Sequence, residues 1–89
     1  MSDKWDANPE AGFKRRLGQS PAELGVTAED TTCPDIWELD NGDIAVIGTE
    51  LTDTYAGRLP ADVSLAPGEK LVVIPGVTLK SAKPDIPDA

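Results

Sequence analysis

Histidine is absent from the 89 residues. That removes the commonest general base and metal ligand, and with it any Ser-His-Asp or Cys-His arrangement within one chain. Cysteine occurs once, at Cys33, so no internal disulfide can staple the fold. Aromatic side chains number four (Trp5, Phe13, Trp37 and Tyr55). No apolar run approaches the roughly 18 residues that span a membrane. Glycine-rich phosphate loops are missing too: nothing matches the P-loop or the dinucleotide fingerprint. No cofactor, no metal and no enzymatic activity are expected from such a set.

Bases are scarce where they would matter most. Residues 21–69 carry eleven acids against one base, Arg58, a net of −10 within a chain of net charge −8. A field of this sign repels nucleic acid phosphates and anionic membranes. Neither is an expected direct partner; the acidity reads first as solubility, and alternatively as a surface that meets a basic partner. The opening Met1-Ser2-Asp3-Lys4-Trp5-Asp6 is polar and lacks a signal-peptide apolar stretch, so a cytoplasmic location is expected. A chain of this length makes one domain with a small core, and dimerisation is one way to bury more apolar surface.

What is present is organised around Cys33 to Thr49. Two apolar runs, Ile36 to Leu39 and Ile44 to Ile47, flank Asp40-Asn41-Gly42-Asp43. This predicts a β-hairpin, with Asn41-Gly42 supplying a type I′ turn. The acidic tetrapeptide is a turn and not a calcium loop, because Trp37 and Gly48 stand where the EF-hand needs acids. Cys33 precedes a proline at the strand entry and has no neighbouring base to activate it, so a small packed residue is expected. The second strand is apolar on both faces, which predicts a central position, with a bend at Gly48.

Before the hairpin, residues 1–32 read as an arm of short helical pieces. Asn8-Pro9-Glu10 looks like a helix start, giving a helix over about 9–17 with Phe13 and Leu17 as its buried pair. Lys14, Arg15 and Arg16 would then complement its C-terminal dipole. Ser20-Pro21-Ala22-Glu23 matches a capping box over a single turn. After the hairpin, a helix is expected over about 52–58, capped by Thr52, with Tyr55 and Leu59 spaced i and i+4 and Pro60 as its stop. A third strand follows at about 70–74, closed by Pro75, and then helical turns at about 76–82. Residues 84–89 read as a loose, proline-rich tail.

The expected fold is therefore α+β: a small, three-stranded, mainly antiparallel sheet (about 35–39, 43–48 and 70–74) with short helices (about 9–17, 52–58 and 76–82) at its margins. Residues 33–83 form the core. The third strand, uncharged within its run, would pair with the second and leave an edge suited to a second copy.

Trp37 is the residue to single out. If its face is buried it is a packing anchor. If the Ile36–Ile44 face is buried, Trp37 and Leu39 form an exposed apolar patch and a candidate interface. Glu38 and Asp43, which can face one another across the hairpin, and Tyr55 complete the candidate surface.

The run Cys33-Pro34-Asp35-Ile36-Trp37-Glu38-Leu39 through Asp43-Ile44-Ala45-Val46-Ile47-Gly48-Thr49, with Gly68-Glu69-Lys70-Leu71-Val72-Val73-Ile74-Pro75 and the ending from Ala82 to Ala89, resembles a family of small uncharacterised actinobacterial, mainly Streptomyces, proteins. The resemblance covers about two-thirds of the chain and implies no activity. A looser similarity is to the BldB-like (DUF397) regulatory accessory proteins, through the cysteine-led strand, the glycine turn, the alanine–valine strand and the later leucine–valine strand. Ile47-Gly48-Thr49 and Val77 to Leu79 stand where that family has an arginine–aspartate–serine stretch and a tryptophan. That similarity implies a small dimeric partner of a helix-turn-helix regulator without DNA binding of its own. The expected function is a non-enzymatic protein-interaction module. Two alternatives are a small-ligand-binding or accessory enzyme subunit using the sheet beside Trp37 and Tyr55, and an acidic inhibitor that mimics nucleic acid.

Overall fold

The computed structural model describes residues 5–26 and 34–86. Cys33 lies outside the described residues. Along the chain run β1 (Phe13–Arg16), α1 (Pro21–Leu24), β2 (Asp35–Leu39), β3 (Ile44–Ile47), β4 (Thr49–Glu50), α2 (Thr52–Tyr55), β5 (Val72–Val73) and α3 (Gly76–Ala82). A 3₁₀ turn, Ala56–Arg58, extends α2, and another, Lys83–Asp85, extends α3. The chain is α+β, with a three-stranded antiparallel sheet in the order β1-β2-β3 and a separate antiparallel pair β4-β5.

The hairpin forms where its sequence predicts, with Ile36 opposite Val46 and Trp37 opposite Ala45. Its turn differs from the expected type I′. Gly42 N–H donates to Leu39 O (3.0 Å) and Leu39 N–H to Asp43 O (2.8 Å). The loop is thus Asp40-Asn41-Gly42, a tight turn closed by Gly42 at φ 92°, the glycine-bulge form of a three-residue hairpin. The Asn41 side chain stabilises this form by accepting from Asp43 N–H (3.0 Å).

The expected helix over 9–17 is not there. Its start signal yields one turn, in which Ala11 N–H donates to Asn8 O (3.1 Å) and Glu10 N–H to Asn8 Oδ1 (2.9 Å). The chain then extends as β1, in register with β2. Local helix propensity loses to cross-strand charge pairing. β2 carries Asp35 and Glu38, and β1 answers with Arg16 and Arg15. A bulge at Lys14 shifts the register, so Phe13 lies opposite Leu39 while Arg15 lies opposite Glu38. Phe13 is consequently 65% exposed and only Leu17 of the expected pair is buried. The sheet draws on the chain on both sides of residue 33.

β2, not β3, is therefore central. The 70–74 stretch supplies β5, which pairs with β4, the continuation of β3 beyond Gly48: Thr49 opposite Val73 and Glu50 opposite Val72. Gly48 permits this change of sheet because a Cβ there would stand 2.5 Å from Val73 O and 2.8 Å from Ile74 Cγ2. α1 carries the predicted capping box, with Glu23 N–H donating to Ser20 Oγ (3.2 Å) and Ser20 N–H to Glu23 Oε1 (2.8 Å). The helices expected over 52–58 and 76–82 form over those residues. Thr52 does not cap α2. Leu51 precedes its first residue, and Thr52 Oγ1 instead accepts from Leu71 N–H (2.9 Å), tying α2 to the approach to β5. Pro84 enters a 3₁₀ turn, where a first-turn position needs no N–H.

The core sits where α3 crosses the sheet. Among the described residues the core cluster is Leu17, Ile36 and Ala82, with Ile74 packed against them. Gly18 lets α3 approach: at φ 86° it lies so close to Ser81 and Ala82 that a Cβ would overlap them. Its N–H donates to Asp85 Oδ2 (2.7 Å), which anchors the end of the second 3₁₀ turn.

Candidate functional site

The buried face of the three-stranded sheet carries Leu17, Ile36, Glu38, Ile44 and Val46; the opposite face carries Phe13, Arg16, Asp35, Trp37, Leu39 and Ile47. This follows from the register and the alternation of side chains along each strand. Of the two faces open for Trp37, Ile36 lies buried on one, and Trp37 and Leu39 lie half-buried on the other, neither a sealed core nor a fully exposed patch.

On that outer face four side chains form a continuous row. The rings of Phe13 and Trp37 meet edge to face, with centroids 5.5 Å apart at 66°. The Arg16 guanidinium lies 4.7 Å from the Trp37 centroid, a cation–π contact. Arg16 also forks onto the buried Asp35 carboxylate, and that hydrogen bond raises its pKa above the ordinary arginine value. Trp37 is thereby contacted on both sides, half-buried on a face that exposes Phe13 and Ile47 (48%).

The inner face is only partly covered. Between the β2–β3 hairpin and α3 lies a groove of about 330 Å³, lined by Leu17, Ile36, Ile44, Val46, Leu79 and Ile86 among others. Its polar side is the Arg15–Glu38 ion pair (2.7 Å), with Arg15 also donating to Asp85 O (2.8 Å). Ile44, Val46, Leu79 and Ile86 remain 43–58% exposed.

The residues singled out from the sequence divide among these places. Trp37 and Leu39 share the outer face. Glu38 points to the opposite face and is taken by Arg15. Asp43 does not face Glu38, since Glu38 lies opposite Ile44; its carboxylate accepts instead from Trp5 Nε1 (3.2 Å) and Asn41 Nδ2 (3.1 Å). Tyr55 sits on α2 beneath the Arg58 guanidinium, 4.4 Å from its ring, and neither it nor Trp37 lines the groove. Phe13, Arg16 and Asp35 complete the outer row and were not expected there. Their signal was the basic run Lys14-Arg15-Arg16 facing an acid-bearing strand.

No group of three or more Cys, Asp or Glu among the described residues could hold a metal ion. Among the described residues no helix is long and apolar enough to cross a membrane. No protein-family model, curated protein or solved structure matches the chain.

Proposed function

We propose that the chain is a non-enzymatic protein-interaction module whose three-stranded sheet is completed by a partner. One observation carries this reading: the apolar core is only Leu17, Ile36 and Ala82 with Ile74 against them, while the sheet exposes Phe13 and Ile47 on its outer face and Ile44 and Val46 on its inner one. Isolated exposed apolar residues are ordinary, but neighbouring ones on the same face of a sheet mark a contact surface. The row Phe13–Trp37–Arg16 has the aromatic and arginine chemistry that concentrates binding energy. The similarity to regulatory accessory proteins makes a helix-turn-helix regulator the first partner to try.

The test is native affinity capture from the source lysate with the wild-type chain and with Phe13→Asp. Phe13 is exposed, so the variant keeps its fold, which a thermal melt checks. A partner held by the wild type and lost by Phe13→Asp supports the module. Equal recovery, or no partner for either, counts against it.

The groove favours a second reading, a site for a small apolar ligand. Its volume lies at the lower end of the roughly 300–1,000 Å³ of such sites. Saturable shifts confined to the methyl resonances of Leu17, Ile36 and Leu79 on titration with apolar metabolites would favour it; a flat response removes it.

A further inference from the structure

The two edges of the three-stranded sheet are unlike each other. β1 is guarded as edge strands usually are, by a bulge at Lys14 and by the cations Arg15 and Arg16. β3, Ile44-Ala45-Val46-Ile47, has no charge, no proline and no register shift against β2.

Its hydrogen-bonding pattern can be read residue by residue. Gly12 O accepts from Asp40 N–H and Ile36 O accepts from Leu17 N–H, so the even-numbered residues of β2 face β1. The odd-numbered ones face β3, beginning with Leu39 N–H to Asp43 O. Antiparallel alternation then directs the main chain of Ala45 and Ile47 toward β2, and that of Ile44 and Val46 away from the sheet. Among the described residues nothing pairs with the Ile44 or Val46 main chain. The side chains of the same two residues line the groove and are 52% and 43% exposed. A strand laid along β3 would satisfy these main-chain groups and cover these side chains together.

Charge decides what that strand is. From Asp40 to Asp53 the chain has four acids (Asp40, Asp43, Glu50 and Asp53) and no base, so β3 is bracketed by acid at both ends. A second copy brings acid against acid in either orientation, which is destabilising across a ladder. A strand with lysine or arginine at its ends meets opposite charge at both.

We propose that β3 is a strand-addition site for an extended segment of a partner protein, apolar at alternate positions and basic at both ends. The proposal rests on the interaction-module reading and names the surface and chemistry of its partner.

The test is amide hydrogen exchange by NMR with a synthetic strand peptide of alternating valine and threonine, lysine-flanked, against a glutamate-flanked counterpart. With the lysine peptide, exchange at Ile44 and Val46 slows by at least about tenfold, while Ala45 and Ile47, already bonded to β2, change little. The glutamate peptide has no effect, and added salt weakens the lysine peptide. Val46→Pro removes an outward N–H that β2 does not use, so it keeps the melting temperature and loses the peptide. Should Val46→Pro unfold, Asp40→Lys with Glu50→Lys reverses the preference between the two peptides. Protection elsewhere, or none, overturns the proposal. So does concentration-dependent protection of Ile44 and Val46 without peptide, which assigns the edge to a second copy. Native capture that survives a folded Val46→Pro removes the edge as the route while leaving the module reading intact.

Discussion

Arg16 and Asp35 are joined by a fork, Nε at 3.0 Å and 3.1 Å from the two carboxylate oxygens and Nη2 at 3.0 Å from one of them. Asp35 is 6% exposed, so the pair does more than a surface salt bridge: it satisfies a buried carboxylate and clamps the edge strand to the central one. Lysine cannot reproduce the fork or the stacking on Trp37. Arg16→Ala should cost about 2 kcal/mol, within the range for hydrogen bonds to a charged group, and Arg16→Lys, which keeps the charge but not the fork, about half as much. Urea denaturation followed by tryptophan fluorescence measures both. Equal midpoints for wild type and Arg16→Ala would show the fork to be energetically idle.

Gly18 and Gly48 are close-approach positions of different kinds. Gly18 combines a positive φ with backbone contact to α3, so Gly18→Ala adds left-handed strain to a clash. A loss of at least about 2 kcal/mol is expected. Gly48→Ala keeps an ordinary φ but drives a Cβ into Val73 O, and should separate β4 from β5 while sparing the hairpin. Exchange protection lost at Leu51, whose N–H donates to Leu71 O (3.0 Å), and retained at Leu39 would confirm that division.

Thr78 is 2% exposed and its hydroxyl has no partner among the described residues. A buried hydroxyl without a hydrogen bond costs about 1–3 kcal/mol in protein mutational data. Thr78→Val keeps the branched shape and removes that cost, so it should raise stability by about 1 kcal/mol. A lower melting temperature for Thr78→Val would mean that the hydroxyl is satisfied in solution.

Two exposed carboxyls tie stability to pH. Glu23 is held below the usual 4.5 by its capping hydrogen bonds with Ser20, and Glu50 by hydrogen bonding to the Thr52 side chain and to the Thr52 main-chain N–H, which donates to Oε2 at 2.9 Å. Each has a folded pKa below its unfolded one, so the unfolded chain binds more protons. The contribution is present above the unfolded value and lost as pH falls through the folded one. The melting temperature should hold from neutral pH to about 5 and decline below about 4.5. Glu50→Gln should make part of that decline disappear; an unchanged acid limb would assign it to other groups.

The hairpin, the capping box at Ser20 and the helices over 52–58 and 76–82 were all legible in the sequence. Each depends on short-range chemistry: a glycine at positive φ, a serine–glutamate exchange three residues apart, a proline before a helix. The basic run at 14–16 was misread because a helix end and a charged edge strand make the same local signal. Choosing between them required knowing that Asp35 and Glu38 lie alongside. The same holds for the candidate surface. The alternation of side chains put Trp37 and Leu39 on one face, but which face is buried depended on where α3 docks, and Gly18, far from it in sequence, controls that approach. The sequence by itself determined the local elements and the acidic field around β3, since both are sums over near neighbours. Only the tertiary structure decided which strand is central, which edge is guarded and which is unpaired among the described residues, because those follow from pairings between segments that the chain brings together from a distance.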